Sequence, residues 1–364
     1  MPRFEDWVGR HFIIGLQPTL TLSDHDRALL SELRPQGVIL YKSNFDHDAP
    51  YEAWLATLSG LINDVRDVVG RDDLLIGIDH EGARVCRTPP PITRYTYPMR
   101  WADKAETVGA AMGRELKSLG VNLSFAPLLD VHSNPDNPVI GERAFSTDPE
   151  AAAKAAIAFM TGLEAQGVAA CGKHFPGHGD TDLDSHKALP ELRHSLETLR
   201  GRELIPFQRA IDAGLASIMT SHIMFPSLDP DWPATLSKPI IQGILREELG
   251  FEGLIMSDDI GMKAMDRFFD APEAMVRFLN AGNDMVMICA FLTDTNRALG
   301  LAEAMVQART SGAVSQNLLN AAAARIDHFA RRMPQHSVEA LGDDIFADHA
   351  RAGPLFGGET VEVV

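Results

Sequence analysis

The chain has 364 residues, 45% of them hydrophobic and 23% charged, which is the balance of a soluble globular protein. A formal net charge of −17, from 33 basic and 50 acidic residues, repels phosphate and excludes non-specific nucleic-acid binding. No segment approaches the roughly 20 apolar residues that span a bilayer. The acidic start Met-Pro-Arg-Phe-Glu-Asp-Trp lacks the apolar stretch of a signal peptide, so a cytoplasmic protein is expected.

In chain order, short β-rich runs alternate with helical stretches. Strands are expected at Phe12–Gly15, Gly37–Tyr41, Leu74–Ile78, Val121–Phe125, Val168–Cys171, Ser217–Thr220, Leu254–Met256 and Met285–Ile288. The runs are continuously apolar rather than alternating, as happens when helices cover one face and a core the other. Between them, Tyr51–Val69 places Leu55, Leu58, Leu61, Ile62 and Val65 at helical spacing. Ala102–Leu119, Ala151–Gln166 and Ser195–Ala213 read as further helices, each with a glycine just past or at its end. Eight strands alternating with helices over about 300 residues predict an α/β protein, a single (β/α)8 TIM-type barrel rather than a doubly wound sheet. A last helical pattern runs from Val314 to about Arg332. The division expected is a catalytic barrel over 1–333 and a polar C-terminal tail over 334–364, with no internal repeat. Cys86, Cys171 and Cys289 stand in or beside apolar runs at unrelated spacings and read as buried thiols.

Polar residues gather just after the predicted strands: Asp79, Glu81 and Arg84 after the third, Pro127 and Asp130 after the fourth, Lys173 and His174 after the fifth. Ser221 and His222 follow the sixth, and Ser257, Asp258 and Asp259 the seventh. In a TIM barrel these positions converge on the C-terminal mouth, where active sites lie. The densest stretch, Lys173 to His186, holds three histidines and three aspartates, with Gly177 and Gly179 supplying freedom. A metal site, a solvated polar loop and a catalytic loop carrying an Asp–His pair all compete for it. The spacings His174-x3-His178 and Asp184-x-His186 need a helix or strand to present two metal ligands together, and the glycines disfavour a helix. Asp184 and His186, two apart, project to one side of an extended segment. A carboxylate there fixes the imidazole tautomer and favours the imidazolium, which suits proton transfer near neutrality. At the end of the seventh strand, Asp258 is placed to act as a nucleophile. The alternatives are helix capping by Ser257 or Asp258, and Asp259 in the same role, although it lies further along and is expected to turn towards the loop.

Four motifs together resemble glycoside hydrolase family 3, and within it the single-domain, NagZ-type β-N-acetylglucosaminidases. They are Lys173-His174-Phe-Pro-Gly-His-Gly-Asp-Thr with Asp184-Ser-His186; Ile78-Asp79-His-Glu-Gly-Ala-Arg-Val; Val139-Ile-Gly-Glu-Arg143-Ala-Phe; and Ser257-Asp258-Asp-Ile. The resemblance implies a retaining exo-β-N-acetylglucosaminidase without metal or cofactor. In it Asp258 is the nucleophile and His186 the general acid/base, paired with Asp184. Asp79, Arg87, Arg143, Lys173 and His174 hold the N-acetylglucosamine. A histidine thus replaces one of the usual two carboxylates. The implied substrate is a small carbohydrate or muropeptide of peptidoglycan recycling, and the implied protein a monomer without nucleic-acid or membrane partners. Ala83 stands where the family often has a second glycine, and Gly261-Met262-Lys263 departs from the common stretch after the nucleophile. Four rivals remain on sequence: transfer of the sugar to phosphate by the same residues, a β-glucosidase or β-xylosidase specificity, a binding protein on a retired barrel, and a metal-dependent activity in place of the Asp–His dyad.

Overall fold

A computed structural model describes residues 2–183, 189–269, 273–290 and 292–357. All eight expected strands form: β1 (Phe12–Gly15), β2 (Gly37–Leu40), β3 (Leu75–Ile78), β4 (Leu123–Ser124), β5 (Ala169–Ala170, continued by Gly172–Phe175), β6 (Ser217–Thr220), β7 (Leu254–Asp259) and β8 (Met285–Cys289). They are hydrogen-bonded in parallel in sequence order, and β8 returns to β1 with Phe12 opposite Val286. The first half of β5 pairs with β4 and the second with β6, so the ring closes across Cys171. The protein is a (β/α)8 barrel.

The side-chain period of two explains the continuous apolar runs. Ile13, Ile39, Leu75, Leu123, Cys171, Met219, Met256 and Met287 fill the barrel interior in one buried cluster. Their strand neighbours Ile14, Val38, Ile76, Ala170, Ile218, Ile255 and Val286 pack outward into the larger cluster shared with the helices. A small interior suits the residue at each narrow point. A Cβ on Gly77 would meet the Phe125 ring at 2.8 Å, and one on Gly15 would meet Cys289 at the same distance. The three cysteines are free and buried, as expected.

The α-helices longer than one turn run α1 (Asp24–Leu33), α2 (Tyr51–Val69), α3 (Ala105–Ser118), α4 (Pro149–Glu164), α5 (Leu196–Gly201), α6 (Leu204–Asp212), α7 (Glu273–Ala281), α8 (Arg297–Ser311), α9 (Gln316–Ala330) and α10 (Asp343–Ala352), with a π-helix at Pro239–Glu248 between β6 and β7. The stretch read as one helix over Ser195–Ala213 is broken, with Arg202 at φ −145°, ψ −72°. Ile326, Phe329 and Ala330 of α9 join the interior cluster and close one end of the barrel. No described helix is long and apolar enough to cross a membrane.

Candidate active site

β5 and β7 run further than expected. Lys173 and His174 lie within β5, and Asp258 and Asp259 within β7, so rigid sheet rather than loop presents these four side chains. Together with Asp79, Arg87 and Arg143 they line one cavity of about 640 Å³, floored by the interior residues Met219 and Met287. Six of the eight site residues expected from sequence therefore meet. Asp184 and His186 lie outside the described residues.

A buried ion-pair network shapes one wall. Glu81, 2% exposed, accepts from Arg143 Nε on Oε2 at 2.8 Å and from Nη2 on Oε1 at 2.9 Å, and Lys173 Nζ shares Oε1 at 2.7 Å. Lys173 Nζ also donates to Asp79 Oδ1 at 2.7 Å, and Arg87 stands 3.8 Å from Asp79 Oδ2. Burial alone would raise the Glu81 carboxyl, but the Arg143 and Lys173 charges outweigh it and hold the group well below the usual carboxylate range. Burial likewise would lower the Lys173 ammonium, and Asp79 and Glu81 hold it above its ordinary value. The Glu81 and Lys173 charges are thus fixed in sign at any physiological pH. Asp79 and Glu81 are two apart and reach the same ammonium, which is how the Asp79-His-Glu81 spacing acts.

The second wall is built on Asp130, fully buried. Its carboxylate accepts from His174 Nδ1 at 2.7 Å, His178 N at 2.7 Å and His174 N at 3.2 Å. That leaves Nε2 as the remaining polar atom of His174. His178 Nδ1 is bonded to Thr181 Oγ1 at 2.7 Å, and burial followed by the nearby His174 pushes its imidazole down to about 4, so it is neutral at pH 7. The pair His174-x3-His178, considered above as metal ligands, is committed at both Nδ1 atoms to other partners. Three further potential donors, Asp180, His194 and Glu203, meet nearby, but Arg202 already pairs with Asp180 at 2.7 Å and Glu203 at 2.5 Å. These pairs also account for the helix break at Arg202, since its side chain is drawn to the loop after β5.

At the end of β7 the three polar residues part ways. Ser257 is buried and its Oγ accepts from Met287 N of β8 at 3.0 Å, and Asp258 Oδ1 accepts from Asp259 N at 2.8 Å. These bonds lie within the sheet and at the strand end, and are not helix caps. Asp258 is half-buried and faces the cavity. Asp259, expected to lie beyond the strand and turn towards the loop, is instead a buried residue of β7 in the cavity lining: its Oδ1 accepts from Gly261 N at 2.9 Å and from Cys289 N of β8 at 3.1 Å, and its Oδ2 has no partner among the described residues. Burial, together with the Asp258 charge, pushes the Asp259 carboxyl up to about 7.

The result is a cavity lined by alternating donors and acceptors, with one half-buried carboxylate at the end of a strand. The cations Arg84, Arg87, Arg143 and Lys173 stand among the acids Asp46, Asp48, Asp79, Glu81, Asp258 and Asp259 in its lining. A mixed polar lining of this kind suits an uncharged, polyhydroxylated ligand. Glu81, Asp130 and His178 were visible in the sequence as polar residues after strands, but nothing in spacing marked them as the groups that hold the others in place.

Residues 16–329 match the glycosyl hydrolase family 3 N terminal domain. The chain is 33% identical to β-hexosaminidase A of Pseudoalteromonas piscicida over 341 residues, covering 87% of this chain and 56% of that protein. It is 39% identical to the β-hexosaminidase of Pseudomonas aeruginosa (strain LESB58) over 274 residues, covering 74% of this chain and 79% of the relative. A solved glycoside hydrolase family 3 β-N-acetylglucosaminidase from Paenibacillus sp. str. FPU-7 superposes with a TM-score of 0.84 at 33% identity, over 95% of this chain and 67% of that one.

Proposed function

The chain belongs to glycosyl hydrolase family 3, and from that membership we propose that it is a retaining exo-β-N-acetylglucosaminidase. The observation that carries the reading is Asp258: a half-buried carboxylate held at the end of β7, opening on the cavity that Asp79, Arg87, Arg143 and Lys173 also line. Its Oδ1 accepts from Asp259 N, and its strand position leaves it little freedom to move, which suits attack on an anomeric carbon. Asp79, Arg87, Arg143, Lys173 and His174 hold the non-reducing N-acetylglucosamine through its hydroxyls and amide. His186, backed by Asp184, protonates the departing glycosidic oxygen. Asp258 forms the covalent glycosyl ester, and the neutral imidazole then takes a proton from the water that releases the sugar with its configuration retained.

A histidine in place of the second carboxylate fits this charge balance. It adds no further anion to a site that already contains Asp79, Glu81 and Asp258. Muropeptide fragments as substrate, a monomeric state and a cytoplasmic setting belong to the same proposal and rest on the resemblance of the four motifs. The test is product analysis on an aryl N-acetyl-β-glucosaminide with and without inorganic phosphate. Free N-acetylglucosamine in both conditions, released first as the β-anomer, is the expected result. Sugar phosphate formed in proportion to added phosphate would replace hydrolysis with phosphorolysis, and faster turnover of the glucoside or xyloside would overturn the assigned sugar.

A further inference from the structure

The segment beyond the barrel is tied to the cavity by a short chain of bonds. Its helix α10 is anchored first. Phe346 packs edge-on to Tyr51 with ring centroids 5.5 Å apart, and His349 Nδ1 lies 2.7 Å from Glu115 Oε1 of α3. Glu115, fully buried, also accepts from Thr93 N at 2.8 Å and Thr93 Oγ1 at 2.6 Å, and Tyr95 Oη donates to His349 O at 2.7 Å. After the helix the chain turns at Gly353, where a Cβ would come within 2.8 Å of Val108, and continues as an added edge. Thr96 N donates to Pro354 O and Phe356 N donates to Arg94 O, both at 2.9 Å, with Tyr95 opposite Leu355 in antiparallel register.

The same segment, 94–96, bonds on its other side to the site. Ala83 N donates to Tyr95 O at 2.7 Å, and Arg94 Nε donates to Ala83 O at 2.9 Å. Ala83 has φ +44°, a conformation that L-residues rarely adopt without support, and both its backbone polar groups are held by the 94–95 segment. It sits between Glu81 and Arg87. Arg94 is held in turn, its guanidinium 4.5 Å above the Phe356 ring. The order is therefore Phe356, Arg94, Ala83, then the turn that carries Asp79, Glu81 and Arg87 to the cavity.

We propose that residues 343–356 are a positioning element of the active site: by bracing Arg94 and Tyr95 they hold the Ala83 turn, and with it the acidic and cationic side chains that grip the sugar. The inference rests on the sugar-binding role given to Asp79 and Arg87 above. It is tested in the full-length chain with Phe356→Ala, with Phe356→Trp as the conservative variant. A truncation after Gly353 gives a second, larger perturbation.

Phe356→Ala is expected to raise KM and the inhibition constant of N-acetylglucosamine together by about fivefold while kcat changes less than twofold, and Phe356→Trp to restore both. Direct calorimetric binding of N-acetylglucosamine should weaken in parallel. Unchanged KM and unchanged sugar affinity in Phe356→Ala, with only a lower Tm, would make the segment structural and overturn the proposal. Absence of turnover in the wild-type chain would instead count against the glycosidase reading, and sugar binding by calorimetry would still decide the role of the segment.

Discussion

Asp258 and Asp259 are neighbours with the same side chain and different fates. Both line the cavity, but one is half-buried and the other is buried, with a carboxyl raised to about 7 from the ordinary 3.8. The unfolded chain releases the Asp259 proton near pH 4, and the folded chain keeps it until about 7. In that window the native state binds the more protons, so stability falls as pH rises through it and levels off above. Asp259→Asn keeps the acceptor for Gly261 N and Cys289 N and cannot titrate. Its Tm, measured against wild type, should therefore gain steadily from pH 4 to 7 and hold constant beyond. A difference independent of pH over that range would mean that Asp259 is ionised in the fold. The sequence pointed to Asp258 because a carboxylate at a strand end is a recognisable position. It could not rank Glu81 above any other charge after a strand, because what distinguishes Glu81 is burial between Arg143 and Lys173, brought from 62 and 92 positions away.

At the scale of elements, the apolar runs located every strand because both faces of each are covered, so hydrophobicity is uninterrupted. They placed the ends of β5 and β7 too early, since these strands continue through charged residues that face the cavity instead of a core. The Ser195–Ala213 helix was read as one because its apolar spacing is unbroken, while the pull of Asp180 on Arg202 is a tertiary contact. The glycines after β5 were expected to give flexibility, and Gly177 does adopt φ +130°. Gly179 serves close approach: a Cβ there would stand 1.6 Å from the carbonyl oxygen of Val131. Gly179→Ala must push the loop after β5 off the loop after β4, so it should destabilise the fold by about 3 kcal/mol or more. Thermal or urea unfolding reads this directly, and a loss below about 1 kcal/mol would show that the loops do not pack as described.

For the whole molecule, the barrel supplies eight strand ends around one mouth, and the charge distribution sorts itself by place. The net charge of −17 lies on the molecule as a whole, while the cavity mixes acids such as Asp79, Glu81 and Asp258 with cations such as Arg87, Arg143 and Lys173. Bulk charge therefore argued against nucleic acid in the sequence and carried no information about a neutral ligand. The segment after residue 333 was legible only as a polar tail. Its docking through His349, Phe346 and Phe356 depends on partners more than two hundred residues earlier, beyond the reach of any local pattern. The central claim, a glycosyl ester on Asp258, is tested most directly with a fluorinated glycosyl fluoride that accumulates the intermediate, followed by proteolysis and mass mapping. One sugar attached to the peptide at Asp258, and none on Asp258→Ala, is the predicted result. A label on Asp259, or stoichiometric inactivation with no labelled carboxylate, would contradict it.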